Sequence, residues 1–176
     1  AALIASGHAG DAWTHYAAIR PGADRRRSRD PRFTAAHEVP AAFDWIPVAD
    51  VGMTTTLHPA SDGGVFEFAA PATIGGPLLR QTQMLPPGAY RIEGHGSGIE
   101  NAAGTEPYWV LTCQAGGREL GRVAVPNSAR DAGRFTGGFV VPAGCTVQDL
   151  TLVARPSDAV TGLSGQIDRV ALVPAP

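Results

Sequence analysis

The chain contains no lysine: all 14 of its basic residues are arginines, set against 16 acidic ones for a formal net charge of −2. A near-neutral balance of this kind lacks the basic excess by which nucleic-acid binders attract phosphate, and a membrane surface is no better matched. No run approaches the ~18 apolar residues of a membrane span. Aromatics make up only 7% of the residues, and there are two cysteines, too few for a disulfide-framework domain. No CxxC pair, Cys/His zinc spacing, Gly-x-Ser-x-Gly elbow, phosphate loop or dinucleotide fingerprint occurs, so no cofactor and no metal is expected. The chain opens at "AALIASGHAG" without Met, which reads as a processed or excised piece and leaves no signal peptide to judge.

What is abundant is turn chemistry. The 22 glycines and 15 prolines come to about a fifth of the 176 residues, against roughly 12% in average usage. They fall between short apolar runs, as punctuation does in a folded domain. An all-arginine basic set fits a G+C-rich coding sequence, and it also favours recognition of carboxylates and planar groups.

The organisation changes once along the chain. Residues 10–20, "GDAWTHYAAIR", predict a helix, with Asp11 as its cap, Trp13, Tyr16, Ala17 and Arg20 at helical spacing, and Pro21-Gly22 as its stop. One helix of this length is marginal alone, so its aromatic stripe needs a partner: the remainder of this chain, or helices outside it. Residues 22–41, with "DRRRSRD" and "HEVPAA", read as a solvated linker, the other reading being a basic binding arm.

From Phe43 the pattern becomes ten short β runs: 43–48, 52–57, 64–69, 77–85, 89–95, 107–113, 118–125, 134–141, 146–154 and 166–173. "SDGG", "PPG", "AGG" and "PAG" join them, supplying positive φ angles and fixed proline φ. Ten strands with no crossover helices predict an all-β fold, an antiparallel sandwich or barrel. The expected division is 1–42 as helical stub and linker, and 43–176 as the β domain.

Three segments carry a resemblance. "LLRQTQMLPPGAYRIEGH" (78–95), "QIDRVALVP" (166–174) and "GGVFEF" (63–68) are similar to strands of galactose-binding-like jelly rolls, the β-sandwich architecture of many carbohydrate-binding modules. The resemblance implies that Pro87-Gly88 make a turn, that Tyr90 and Ile92 face the core, and that the ligand is a glycan. It departs from such modules in one respect: Asp44, Asp50 and Asp62 are spread out, without the acidic cluster that holds a structural calcium in many of them. "WTHYAAIRPG" resembles the last helix of a tetratricopeptide-type array, which implies a helical-repeat or other protein partner as the alternative role.

Cys113 and Cys145 have several readings. A nucleophile needs a nearby base and a lowered pKa, a metal site needs two more ligands than the scattered histidines supply, and two buried thiols need nothing. A Cys113–Cys145 disulfide is the favoured reading. It requires Cys145, out of phase with Leu150 and Leu152, to sit in the turn before its strand, and it implies a periplasmic or extracellular setting.

Sugar sites combine an aromatic platform with planar amide, carboxylate and guanidinium groups. The candidate ligand-binding residues are Trp45, Arg80, His95, Glu100, Asn101 and Tyr108. Trp109 is in phase with Leu111 and Cys113 and is expected in the core, which turns Tyr108 outward. Trp45 alternates with Phe43 and Pro47, so burial competes with a platform role there. His95, Glu100, Asn101 and Glu106 lie in "GHGSGIENAAGTEPY" (94–108), expected to be a long irregular loop. Gln81 and Gln83 face the core and Arg80 faces solvent. Carboxylate pairs for glycoside hydrolysis would be Glu100 with Glu106, or Glu67 with Glu93. A non-catalytic role is the expectation.

Overall fold

The computed structural model describes residues 2–48, 50, 52–158 and 161–176; in the sequence "SDAVTGLSG" (157–165) reads as a loop, and its Ala159 and Val160 lie outside the described residues. Ten antiparallel strands form two five-stranded sheets. The first has the order β1-β4-β9-β6-β7, with β1 Ile46–Pro47, β4 Gly76–Gln83, β9 Gln148–Ala154, β6 Tyr108–Cys113 and β7 Glu119–Ala124. The second has the order β2-β3-β10-β5-β8, with β2 Thr54–His58, β3 Val65–Ala70, β10 Leu163–Pro174, β5 Gly88–Ser97 and β8 Arg134–Val141. The two sheets form an all-β sandwich, with a short helical N-terminus, α1 Ala2–Ala5 and α2 Ala9–Ile19.

Alternation places the core. Trp109, Leu111 and Cys113 of β6 are buried while Tyr108, Val110 and Thr112 are half-exposed, as a pleated strand with one covered face requires. Phe66 and Phe68 of β3, Tyr90 and Ile92 of β5, and Leu150 and Leu152 of β9 complete the same interior. The turn "PPG" opens β5, and the Tyr90 hydroxyl donates to the Pro86 carbonyl at 2.8 Å, fixing the strand's entry. Cys113 and Cys145 form a disulfide with Cα atoms 5.7 Å apart. Cys145 lies in the turn before β9, which resolves the phase mismatch with Leu150 and Leu152.

Several expectations are corrected by packing. Asp11 is not the helix cap: His8 holds that position without a side-chain bond, and Asp11 sits in the first turn. The run 43–48 contributes only Ile46–Pro47 as strand, because Phe43 and Asp44 turn toward the helix instead.

The solvated-linker reading of 22–41 fails at residues 28–33, while most of the residues on either side are exposed. Strand β3 accompanies β10 only from Leu163 to Ile167, which leaves the next stretch of β10 unpaired on that side. Residues 28–31 fill this gap. Val170 N–H donates to the Pro31 carbonyl and Ser28 N–H to the Leu172 carbonyl, each at 2.9 Å, while Ser28 Oγ accepts from Leu172 N–H at 2.8 Å. Phe33 then enters the core with no exposed surface. Apolar content in this segment is low, and its burial follows from backbone pairing that composition does not reveal.

Arg29 is the centre of the attachment. Its Nε donates to the Phe43 carbonyl and one NH group to Gln83 Oε1, both at 2.9 Å, and the other NH group donates to the Thr82 carbonyl. The guanidinium also lies 5.5–6.0 Å from the ring centroids of Trp13, Tyr16 and Phe43. Burial draws its pKa down to about 10. Trp13 and Tyr16 pack with Phe43, Met84 and Val147, so the aromatic stripe of α2 is spent on this sandwich. The tetratricopeptide-like reading of the stub finds no support here, because the face an adjoining helix would need is already covered.

Candidate functional site

The outward face of the first sheet collects planar polar groups. Register aligns Arg80 of β4, Thr151 of β9, Val110 of β6 and Arg122 of β7 in one row across four strands. A second row holds Thr82, Asp149 and Thr112. Asp149 accepts from Thr82 Oγ1 at 2.8 Å and from Gln114 Nε2 at 3.0 Å, which fixes both carboxylate oxygens. Just beyond the ends of β4 and β9, Met84 and Val147 are covered by the helix cluster, so α2 bounds the face at that end.

Tyr108 stands at the opposite end, opposite Val153 and Ala124. Its ring is flanked by two guanidiniums, Arg122 at 4.7 Å and Arg155 at 4.4 Å from the centroid. Arg122 belongs to β7 and Arg155 follows β9, the strands on either side of β6. An open stacking platform is therefore not what Tyr108 provides; the group offers hydroxyl and N–H edges. Arg122 is braced by a two-bond fork to Glu119, at 2.6 and 2.7 Å. The hydrogen bonds of that fork hold the Glu119 carboxyl below the usual carboxylate range. The Nε of Arg155 is buried without a hydrogen-bond partner among the described residues.

The predicted site residues do not converge. Arg80 and Tyr108 share the first sheet's outward face, Arg80 exposed as expected. Trp45 is a correction: it is 4% exposed, donates Nε1–H to the Asp30 carbonyl at 3.0 Å, and packs edge-on to Trp109 and Phe33. With its ring inside the sandwich it offers no platform.

His95 lies on the other sheet, paired through Nδ1 with Asp168 Oδ2 at 2.7 Å. The expected loop 94–108 begins late, since Gly94 to Ser97 continue β5, and Ile99 is a core residue. Asn101 serves the loop itself: its backbone N–H donates to Asn127 Oδ1 at 2.7 Å and its Nδ2 to the Thr105 carbonyl at 3.1 Å. Glu100 is exposed at the mouth of a small depression of 30 Å³ shared with Asn101, Thr105 and Arg155.

Gln81 and Gln83 are buried and bonded, Gln83 Nε2 to Gln81 Oε1 at 2.8 Å and Gln81 Nε2 to the Arg29 carbonyl at 3.1 Å. Of the hydrolase candidates, Glu67 lies 3.4 Å from His58, Glu93 holds Arg91 and Arg169, and Glu106 accepts from the Gly104 N–H at 2.8 Å. Among the described residues no group of three or more His, Cys, Asp or Glu side chains is arranged to hold a metal ion, and no helix is long and apolar enough to cross a membrane. Sequence reasoning missed Arg122, Arg155, Asp149 and Gln114. Period-two alternation from Trp109 outward would have found Arg122 only with the β6–β7 register in hand.

The fold is that of the carbohydrate-binding-module β-sandwiches. A solved family 4 carbohydrate-binding module superposes with a TM-score of 0.53 at 10% identity, over 84% of this chain and 99% of that one. A carbohydrate-binding module of Cellvibrio mixtus lichenase 5A, solved with cellotriose, aligns at 0.46 and 12% identity, over 77% and 99%. The enzymatically active domain of a bacteriophage CBA120 tailspike aligns at 0.45 and 17%, over 74% of this chain but only 19% of its own length. No family model and no curated protein matches the sequence.

Proposed function

We propose that the chain is a non-catalytic glycan-binding module whose binding face is the outward surface of the first sheet. The observation that carries this reading is the single register row of Arg80, Thr151, Val110 and Arg122, on a face that α2 bounds at one end of the strands and the Arg122–Tyr108–Arg155 stack at the other. Forked guanidiniums and a fixed carboxylate bind vicinal hydroxyls in pairs, and Val110 with Thr151 leaves a low floor between them for C–H surfaces. The carbohydrate-binding modules among similar folds support the same reading. The disulfide favours an oxidising, extracellular or periplasmic setting.

The alternative of a protein-interaction module on a helical-repeat protein loses its main feature, since Trp13 and Tyr16 leave no apolar patch. The test is affinity electrophoresis against neutral plant and bacterial polysaccharides, with Arg80→Ala and Tyr108→Ala beside the parent. Retardation of the parent, reduced at least ~10-fold in affinity in each variant, is expected from the loss of about 1.4 kcal/mol or more of binding. Failure of every neutral glycan to retard the parent at millimolar concentration would sink the reading.

A further inference from the structure

The opposite face holds a second concavity that the first-sheet site does not use. An open cleft of 1160 Å³ lies over β5, β8 and β10 beneath the segment 126–133. Register sets Arg134, His95 and Arg169 side by side across the three strands, with Glu93 and Arg91 further along β5. Arg130 reaches the same cleft from the overhanging segment. Four guanidiniums therefore face the carboxylates of Glu93 and Asp131, in a chain whose formal net charge is −2.

The carboxylates nearby pair with only two of the four guanidiniums. Glu93 is engaged by Arg169 at 2.9 Å and Arg91 at 3.3 Å, and Asp168 is engaged by His95. Arg130 and Arg134 carry no ion pair and no side-chain hydrogen bond among the described residues, and both are exposed.

The overhang is held in place at a conformational cost. Asp131 and Ala132 adopt φ values of 51° and 50°, and Gly133 follows at 73°. Left-handed backbone at non-glycine residues persists only where the surroundings enforce it, and such residues gather at ligand clamps. Gly133 cannot be replaced without a collision, because a Cβ there would run into the Gly96 carbonyl of β5. The lip carrying Arg130 is thereby pinned against the strand that carries His95.

The geometry points to a second ligand site in this cleft, one that takes an acidic polysaccharide through its carboxylate or sulfate groups. Free guanidinium forks on a concave surface match such oxyanions in pairs. Nucleic acid is a poor occupant: base stacking favours large exposed rings, and of the two aromatic rings lining the cleft Phe135 is 5% exposed and His95 is tied to Asp168 Oδ2 at 2.7 Å. The inference goes beyond the neutral-glycan reading and stands on different residues.

The test uses the full chain in affinity gels containing polygalacturonate, dextran sulfate or neutral dextran, at low and high salt. Retardation by at least one acidic polymer, weakened by salt, is expected; the polymer that acts identifies carboxylate or sulfate as the recognised group. Arg130→Ala/Arg134→Ala should lose at least ~10-fold in affinity for it. Arg26→Ala/Arg118→Ala, which removes equal charge elsewhere, and Tyr108→Ala should each stay within ~2-fold of the parent, with the melting temperature of every variant checked. The inference is overturned if neither acidic polymer retards the parent, if both arginine pairs matter equally, or if Tyr108→Ala abolishes acidic binding. A failure of neutral glycans alone touches only the first-sheet site.

Discussion

Replacing Arg29 by Met tests whether a buried guanidinium holds the N-terminal segment to the sandwich. Met keeps most of the side chain's volume and removes the donors to the Phe43, Thr82 and Gln83 oxygens. Each acceptor left buried without a partner costs about 1–3 kcal/mol, so the gross loss is about 6 kcal/mol. Against this, the variant no longer desolvates a cation; a pKa drawn down to about 10 corresponds to about 3 kcal/mol recovered. A net destabilisation of about 3 kcal/mol remains. For a domain of this size that is a fall in Tm of roughly 6–12 °C, read by circular dichroism or calorimetry, and a lower urea midpoint at unchanged slope. Arg29→Lys keeps the charge but not the fork, so it should recover only part of the loss. If Arg29→Met melts within ~1 kcal/mol of the parent, the buried fork is not what secures residues 28–33.

Three further outcomes are expected. Cys113→Ala/Cys145→Ala opens a loop closed over a sequence separation of 32, which should cost about 4 kcal/mol by chain entropy; reductant should lower the parent's Tm similarly and leave the variant's unchanged. Burial alone would push the Asp44 carboxyl up, but hydrogen bonds from Arg20, Tyr16 and the Ala41 N–H outweigh it and hold the group below the usual range. A depressed carboxyl stabilises the fold above its unfolded pKa of ~4 and loses that contribution as pH falls through the folded value. Asp44→Asn should therefore be less stable than the parent by about 1–3 kcal/mol at neutral pH, with the gap closing below about pH 4 in urea melts. Finally, a fragment of residues 43–176 loses Phe33 from the core and the backbone pairing along Val170 and Leu172. It should melt broadly and bind a hydrophobic dye; a sharp transition near the parent's Tm would refute the structural role given to residues 28–33.

Of the interior, much was legible because period-two alternation and local turn chemistry are written in consecutive residues. Trp109, Leu111 and Cys113 announced their shared face, "PPG" announced the entry of β5, and "PAGC" allowed the disulfide turn that Cys145 adopts. The site was far less legible. Arg80 and Tyr108 were placed on an exposed face correctly, yet Arg122 and Arg155 reach Tyr108 only through neighbouring strands whose register no local pattern specifies. Trp45 was ambiguous because strand parity says which residues share a face, not which face is covered. His95 lies close to Glu100 and Asn101 in sequence, but the strand that carries it belongs to the second sheet, an assignment made by pairing with β8 and β10 that no local pattern specifies.

The sequence by itself determined the all-β class, most of the strands and most of the inward faces, because each rests on spacing within a few residues; it favoured the Cys113–Cys145 disulfide, and the fold brought the two cysteines together across a separation of 32. Only the tertiary structure decided that residues 28–33 of the arginine-rich run are part of the fold, and that the chain carries two charged faces on opposite sheets. Both depend on pairings between residues tens of positions apart, such as Arg29 with Gln83, and His95 with Arg134 on one side and Arg169 on the other. A composition that looks solvated is buried when the backbone beside it has unpaired groups to satisfy.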